Sequence, residues 1–390
     1  MHTSIETSAS PQSVDPALAA WREVDLDAIG RNVRALADIA APASLMVVIK
    51  ADAYSHGSVE VARAAVASGA DHLGVAVLEE AFELRSAGIT APVLAWLAGP
   101  GARYAEAVAC DVSLAAYSCA QVEEIARAAA SVGGRAQVHL KAETGMWRGG
   151  AAAGEWRELV DLAGRLQRRG TVDVVGVWSH LACADEPRSS SNDAQLRLFL
   201  DAVEVAGRAG LEPSWRHLAN SAATLSRPDM HFDLVRCGLA VYGVDPLAGH
   251  GATVGLEQAM TLKGTVTHVK EAPAGAGVSY GHTYRTSTAT RLALVPLGYA
   301  DGIPVAPGTA VRAGWRGHPV PLAGRVCMDQ LVVDVGDLPV QPGDEVTLLG
   351  PGRDGEHTVR RWSDLTGRST YELLTGLDRR RVPLAHVRRT

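Results

Sequence analysis

The chain is poor in cysteine: five residues, Cys110, Cys119, Cys183, Cys237 and Cys327, spread over 390 positions. Their number is odd and no two form a CxxC pair, which excludes a disulfide framework and points to a reducing, cytoplasmic setting. Excess positive charge is also lacking. A net charge of -6 and a pI near 6.1 leave no electrostatic footprint for nucleic acid. The one short basic cluster, at 379–381, reads as a solvated face. A long uncharged apolar run is missing too, so no membrane span is expected. Residues 1–20 are polar, acidic and proline-containing, with no basic start leading into an apolar stretch; they read as a disordered tail, not a secretory signal. No internal repeat and no low-complexity linker is present, and no metal site is expected.

What the chain does have is apolar mass, 47% of its residues, enough for a large core and two domains. From residue 45 to residue 237 apolar runs and helical patterns alternate. Strands are expected at 45–50, 72–77, 93–97, 112–116, 136–142, 174–179, 214–218 and 232–237, with helices between them. Eight such units over roughly 220 residues match a (β/α)8 TIM-type barrel better than an open doubly wound sheet. Past Asp245 the pattern changes to short, alternating β-branched runs at 260–268, 290–297, 330–335 and 345–349, separated by Gly and Pro turns. The expected organisation is a tail at 1–20, an α/β barrel at 21–248 and a mostly β domain at 249–390.

In such a barrel the residues just past each strand face one mouth, where the chemistry lies. The run LMVVIK delivers Lys50 there. A lone lysine at a strand end usually snorkels. Half-shielded by apolar neighbours, however, its ammonium form loses hydration and the neutral, nucleophilic amine is favoured. The other strand ends add Asp52, Tyr54 and His56; Lys141 with Glu143, Thr144, Met146 and Arg148; His180; His217, Asn220 and Ser221; and Arg236 with Gly238. Asn220-Ser221 opens a short helix directly after a strand, a geometry shared by an ordinary N-cap and an anion site. A nucleophilic lysine facing a phosphate site suggests an aldehyde cofactor, pyridoxal 5'-phosphate, joined to Lys50 as a Schiff base.

Nine strings in order, VVIKADAYSHG, HLKAETGMWR, GVWSHLACADE, HLANSAATL, FDLVRCGLAVYG, VSYGHTY, LGYADG, GRVCMDQ and TYELLTGL, cover nearly the whole chain and resemble the alanine racemase family. That resemblance implies a pyridoxal 5'-phosphate-dependent isomerase with a barrel and a β-domain. It further implies a homodimer with shared active sites and D-alanine supply for peptidoglycan. By position it makes Lys50 the cofactor lysine and one catalytic base, and Tyr280 the second. Tyr54, Asn220, Ser221, Gly238, Leu239 and Tyr371 would hold the phosphate, Arg236 would face the pyridine nitrogen, and His180 would stack on the ring. Arg148 and Met328 would meet the substrate carboxylate, with Tyr299 near the entrance and Lys141, often carbamylated in the family, buttressing Arg148.

The match has departures. Asp52 and Ser55 replace the Asn and Gly of KANAYGHG, Glu143 replaces a usual Asp, and an arginine common after YADG is missing.

Racemisation removes a weakly acidic proton from one face of an amino acid and returns one to the other, so two opposed bases are needed. Lys50 and Tyr280 can serve where a cationic neighbourhood favours the deprotonated form of each. Arg236 and His180 would lend Tyr280 that potential through a hydrogen-bonded chain. Three other readings compete: a racemase of broader or serine-type specificity, a barrel-type decarboxylase of the same cofactor, and a cofactor carrier without turnover. A decarboxylase is expected to place an acid where this chain has Arg236, and a bare carrier has no β-domain with Tyr280, Tyr299 and Met328.

Overall fold

The computed structural model describes residues 18–247, 254–305, 310–377 and 380–389. Its described residues fall into two compact units, one within Ile29–Ala53 and Gly57–Leu256, the other within Met1–Ala28, Tyr54–His56 and Glu257–Thr390. The chain opens with β1 (Ala20–Asp25), followed by α1 (Leu26–Ala40). The helix starts where it does because Asp25 Oδ1 accepts the backbone N–H groups of Asp27 and Ala28 at 3.0 and 3.2 Å, satisfying two donors that lack intrahelical partners.

Eight parallel strands follow: β2 (Ser44–Val48), β3 (His72–Val75), β4 (Val93–Ala95), β5 (Val112–Ala116), β6 (Ala136–Lys141), β7 (Val172–Trp178), β8 (Trp215–His217) and β9 (Leu234–Cys237). Neighbours in sequence pair in space from β2 to β8, and β9 returns to pair with β2. The remaining gap is bridged by backbone bonds from Asp233 N to Arg216 O, 3.1 Å, and from Arg236 N to Ala219 O, 3.0 Å. The strands thus close into the expected barrel. Most of their residues are buried, as continuous apolar runs in a parallel sheet require.

Between the strands lie α2 (Lys50–Ser55), α3 (Ser58–Ala67), α4 (Leu78–Ser86), α5 (Tyr104–Ala109), α6 (Cys119–Ser131), α7 (Ala153–Arg168), α8 (Ser190–Arg208) and α9 (Ser221–Ser226). On α7 the buried residues Trp156, Leu159, Val160 and Ala163 recur at helical spacing and form the core-facing stripe. Among the described residues no helix is long and apolar enough to cross a membrane.

The other unit is mostly β. Its strands are β10 (Met260–Thr265), β11 (His268–Ala272), β12 (Gly277–Val278), β13 (Tyr284–Arg285), β14 (Thr290–Val295), β15 (Arg312–Trp315), β16 (His318–Pro321), β17 (Leu331–Gly336), β18 (Glu345–Leu349) and β19 (Leu384–Val387). They form a six-stranded sheet in the order β16-β15-β18-β10-β1-β19, a three-stranded sheet β11-β14-β17 and the pair β12-β13. Two helices, α10 (Val359–Thr366) and α11 (Thr370–Thr375), complete the unit, α10 anchored by fully buried Trp362, whose indole N–H donates to Leu348 O at 3.0 Å.

Two sequence expectations change. A barrel beginning at 21 gives way to a first strand that lies in the other unit's sheet, because β1 pairs antiparallel with β10 and parallel with β19. The single strand expected at 260–268 is two strands. At the bend Val266 N turns to Asp344 O and Thr267 N to Leu294 O, so the chain leaves one sheet for the next. Of the tail at 1–20, residues 1–17 lie outside the described residues, while Ala20 already belongs to β1. The stretch 306–309 after YADG and Arg379 of the basic cluster also lie outside them.

Candidate active site

Ile49 remains on the barrel sheet, its N–H bonded to Gly74 O at 2.8 Å, and Lys50 is the first residue past it. The expected strand ends earlier, at Val48, and Lys50 opens a helical turn of the wrong hand. Ala51, Asp52, Ala53, Tyr54 and Ser55 have φ of 53, 54, 51, 54 and 64°, a left-handed turn built without glycine. Such backbone is costly for L-residues and persists only where its surroundings fix it. Glu80 on α4 supplies one restraint, its Oε1 accepting Ala51 N–H at 2.6 Å while Oε2 holds Ala76 and Val77 N–H. Asp52 supplies another by accepting Ser58 N–H at 2.8 Å. The half-buried Lys50 amine has its pKa lowered, first by burial and then by the charge of Arg148, with Glu80 opposing.

Lys141 ends β6, buried, with its amine 4.6 Å from the centre of the Trp178 ring. Burial, then Arg236 and Arg148, push its pKa down to about 8. In the loop that follows, Glu143 Oε1 accepts Gly145 and Met146 N–H at 2.6 and 2.7 Å. Burial works against its ionisation, but the backbone donors of Trp147, Gly145 and Met146 and the charge of Lys141 outweigh it and keep its pKa low. The departure to glutamate therefore still does a turn-holding job. Arg148, at the end of that turn, is exposed.

Arg236 on β9 is buried and central. Its Nη2 donates to Ser179 O at 2.8 Å and Leu218 O at 3.2 Å and reaches His180 Nδ1 at 3.2 Å, while Nη1 reaches His217 Nδ1 at 3.2 Å. The guanidinium also lies 5.0 Å from the Trp178 ring centre. Every one of these partners is neutral. Burial pulls its pKa down to about 9, which leaves it charged at neutral pH. Burial, reinforced by Arg236, drives the pKa of His180 well down, so that imidazole is neutral. At the neighbouring strand ends, Asn220 caps α9 by accepting Ala223 N–H at 3.1 Å. Ser221 Oγ gathers Gly238 N–H at 2.9 Å and Ala240 N–H at 3.4 Å around the turn that starts at Leu239. Thus Lys50, Lys141, Arg148, His180, Asn220, Ser221, Arg236, Gly238 and Leu239 all follow or end strands of the one barrel unit.

The remaining expected residues lie in the other unit. Tyr54 is buried there with its ring 5.9 Å from that of Tyr371, and burial pushes its phenol pKa up. Tyr299 and Met328 meet through backbone: Tyr299 N–H donates to Cys327 O at 3.0 Å and Ala300 N–H to Met328 O at 2.9 Å. Gly298 is required at this crossing, since a Cβ there would stand 2.2 Å from Met328 O. Ser279, just before Tyr280, bonds Arg325 O at 2.6 Å, tying Tyr280 to the same 325–328 segment. Tyr280, Tyr299, Met328 and Tyr371 are all exposed large side chains, Tyr280 at 71%.

The sequence profile of the alanine racemase N-terminal domain matches residues 24–246, and that of the C-terminal domain matches residues 259–385. The chain belongs to the alanine racemase family. An alanine racemase of Salinispora tropica is 52% identical over 360 residues, covering 92% of this chain and 96% of that protein. One from Mycobacterium leprae is 45% identical over 372 residues, covering 95% and 96%. A crystal structure of alanine racemase from Streptomyces lavendulae superposes with a TM-score of 0.92 at 45% identity, covering 96% of this chain and 98% of that one. Alanine racemases are isomerases that depend on pyridoxal 5'-phosphate.

The residues present fit that cofactor. A lysine biased toward its neutral amine suits an aldehyde, and a buried guanidinium with only neutral partners suits an unprotonated ring nitrogen. Three supporting residues escaped the sequence reading. Besides Glu80, Gln195 on α8 donates to Thr144 Oγ1 at 3.3 Å and His180 O at 2.9 Å and accepts Ala182 N–H at 2.8 Å, clamping two site loops together. His139 sits behind His217. Its signal was visible, for the strand reads AQVHLK and places His139 and Lys141 on one face, opposite Val138 and Leu140.

Proposed function

We propose that this chain interconverts L-alanine and D-alanine with Lys50 and Tyr280 as its two bases. The observation that carries the reading is the company of Arg236, which has carbonyls and imidazole nitrogens around it and no carboxylate among those partners. A carboxylate facing the cofactor's ring nitrogen would hold a proton there, whereas a guanidinium accepts none. Pyridoxal 5'-phosphate, when bound, supplies the electron sink that makes the substrate α-proton removable.

The rest falls to the chain. Lys50 covers one face of the α-carbon, its amine kept ready by burial and by Arg148. Tyr280, contributed by a second copy in a homodimer, covers the other. His180 accepts from Arg236 at Nδ1, so its hydrogen is on Nε2 and is available to stabilise a phenolate oxygen. Arg148 and Met328 receive the substrate carboxylate, with Tyr299 at the entrance. Asn220, Ser221, Gly238, Leu239, Tyr54 and Tyr371 take the cofactor phosphate. Lys141, with its amine pKa near 8, is suited to add carbon dioxide and offset Arg148 as a carbamate. The D-alanine would serve peptidoglycan in the cytoplasm, a setting that fits five cysteines without a disulfide.

The test is L-alanine in heavy water. The enzyme is expected to exchange the α-proton and yield both enantiomers, while Lys50→Ala and Tyr280→Ala chains are each inactive and regain activity when mixed. Release of carbon dioxide, or no activity in the mixture despite proven subunit exchange, refutes the reading.

A further inference from the structure

Behind Arg236 lies a chain of rings whose hydrogen positions the geometry fixes. A guanidinium only donates, so the 3.2 Å approach of Arg236 Nη1 to His217 Nδ1 leaves that nitrogen without hydrogen. A neutral His217 therefore carries its hydrogen on Nε2. That atom is 2.9 Å from Nδ1 of His139, which must be the acceptor. The bonds run outward from Arg236 in one direction and arrive at His139.

The surroundings support both rings in this arrangement. His217 is stacked on Trp178 with an interplanar angle of 2°, and His139 meets it edge-on at 81°. Both imidazoles are buried. On β7, Gly176 leaves the space that the His139 ring occupies, because a Cβ there would stand 2.0 Å from its Nδ1. Burial, then His72 and Arg236, push the pKa of His139 down to about 3, and burial followed by Arg236 drives that of His217 well below its ordinary value. Neither ring takes up a second proton at neutral pH.

We infer that His139 is a positioning residue for racemisation: by accepting the Nε2 hydrogen of His217 it fixes that ring's tautomer and keeps a bare Nδ1 turned to Arg236. Without this acceptor His217 is free to move its hydrogen to Nδ1, where it would oppose the guanidinium and displace it. The inference rests on the proposed role of Arg236 at the cofactor ring.

The test uses holoenzyme carrying His139→Asn or His139→Leu. The asparagine oxygen takes about the place of Nδ1 and can accept; leucine has a similar shape and cannot. Nitrogen-15 NMR of ring-labelled histidine is expected to show His217 protonated at Nε2 in the wild type and the Asn variant, and no longer uniformly so in the Leu variant. The kcat for L-alanine should fall about tenfold or more in the Leu variant, as for one buried hydrogen bond left unmade, with KM little changed, and recover to within about threefold in the Asn variant. Three results overturn the inference: wild-type His217 protonated at Nδ1, wild-type kcat in the Leu variant, or an Asn variant as slow as Leu, which would make the ring mere packing. The wild-type spectrum decides even where the Leu variant does not fold. Failure of the Arg236 reading shows separately, as unchanged rates in Arg236→Gln.

Discussion

Ser55 tests whether the left-handed turn is strained. It is the last of five non-glycine residues at positive φ, its hydroxyl is buried without a hydrogen-bond partner among the described residues, and its carbonyl accepts Arg22 Nη1 at 2.7 Å. Replacing it with glycine keeps that backbone bond. It relieves the left-handed penalty of about 1–2 kcal/mol and removes an unmade hydrogen bond that costs about 1–3 kcal/mol. Against this stand the greater freedom of glycine in the unfolded chain, about 0.5–1 kcal/mol, and the lost burial of one carbon, about 0.8 kcal/mol. Ser55→Gly is therefore expected to stabilise by about 1–2 kcal/mol. Ser55→Ala removes the hydroxyl alone and keeps any strain, so it should stabilise by about 1–3 kcal/mol, and the Gly variant differs from it by the strain relief less the two glycine costs. Urea unfolding followed by tryptophan fluorescence should give both variants higher midpoints than the wild type, with Gly and Ala within about 1 kcal/mol of each other. A Gly variant about 1.3–1.8 kcal/mol less stable than the Ala variant, the full glycine costs with no relief, would show that position 55 bears no backbone strain.

Three further changes probe the rest of the site. Lys141→Met should stabilise the protein at pH 7 in buffer free of carbon dioxide by about 1–2 kcal/mol, the cost of holding a buried ammonium less its attraction to Trp178. Because the folded-state pKa of Lys141, about 8, lies below the ordinary 10.5, the unfolded chain binds more protons between these values; wild-type stability rises with pH there and the gap to the Met variant should narrow, as thermal melts across that window would record. Glu80→Gln removes the one neighbour among the described residues that raises the Lys50 pKa, so uptake of pyridoxal 5'-phosphate by cofactor-free protein should shift its pH midpoint downward. Gly298→Ala drives a Cβ against the carbonyls of Cys327 and Met328, at 2.4 and 2.2 Å, and should cost about 2–4 kcal/mol in denaturant unfolding and lower kcat/KM by separating Tyr299 from Met328.

Periodicity and strand-end position made the barrel and its rim readable, because both are local properties of the chain. Lys50, Lys141, His180, Asn220, Ser221 and Arg236 all lie within four residues of a strand end. The first strand was not readable in the same way. WREVD acquires its place from β10 and β19, hundreds of residues away, and nothing within the five residues names those partners. The left-handed turn was hidden for another reason: the strongest sequence signals for positive φ are glycine and asparagine, and ADAYS offers only the weaker one of Asp52. Glu80 and Gln195 act on groups that neighbour them only after folding, so their roles emerge from hydrogen-bond geometry and not from spacing; His139 shares a strand face with Lys141 in AQVHLK, but its partner His217 is 78 residues away.

The sheet order β10-β1-β19 sets a timetable for biosynthesis. A ribosome releases β1 about 360 residues before β19, so β1 must wait with one edge unpaired until that whole stretch has been made. Nascent chains halted before residue 384 would carry that open edge, a hazard for sticking to other chains that ends when Leu384–Val387 closes on Arg22–Asp25.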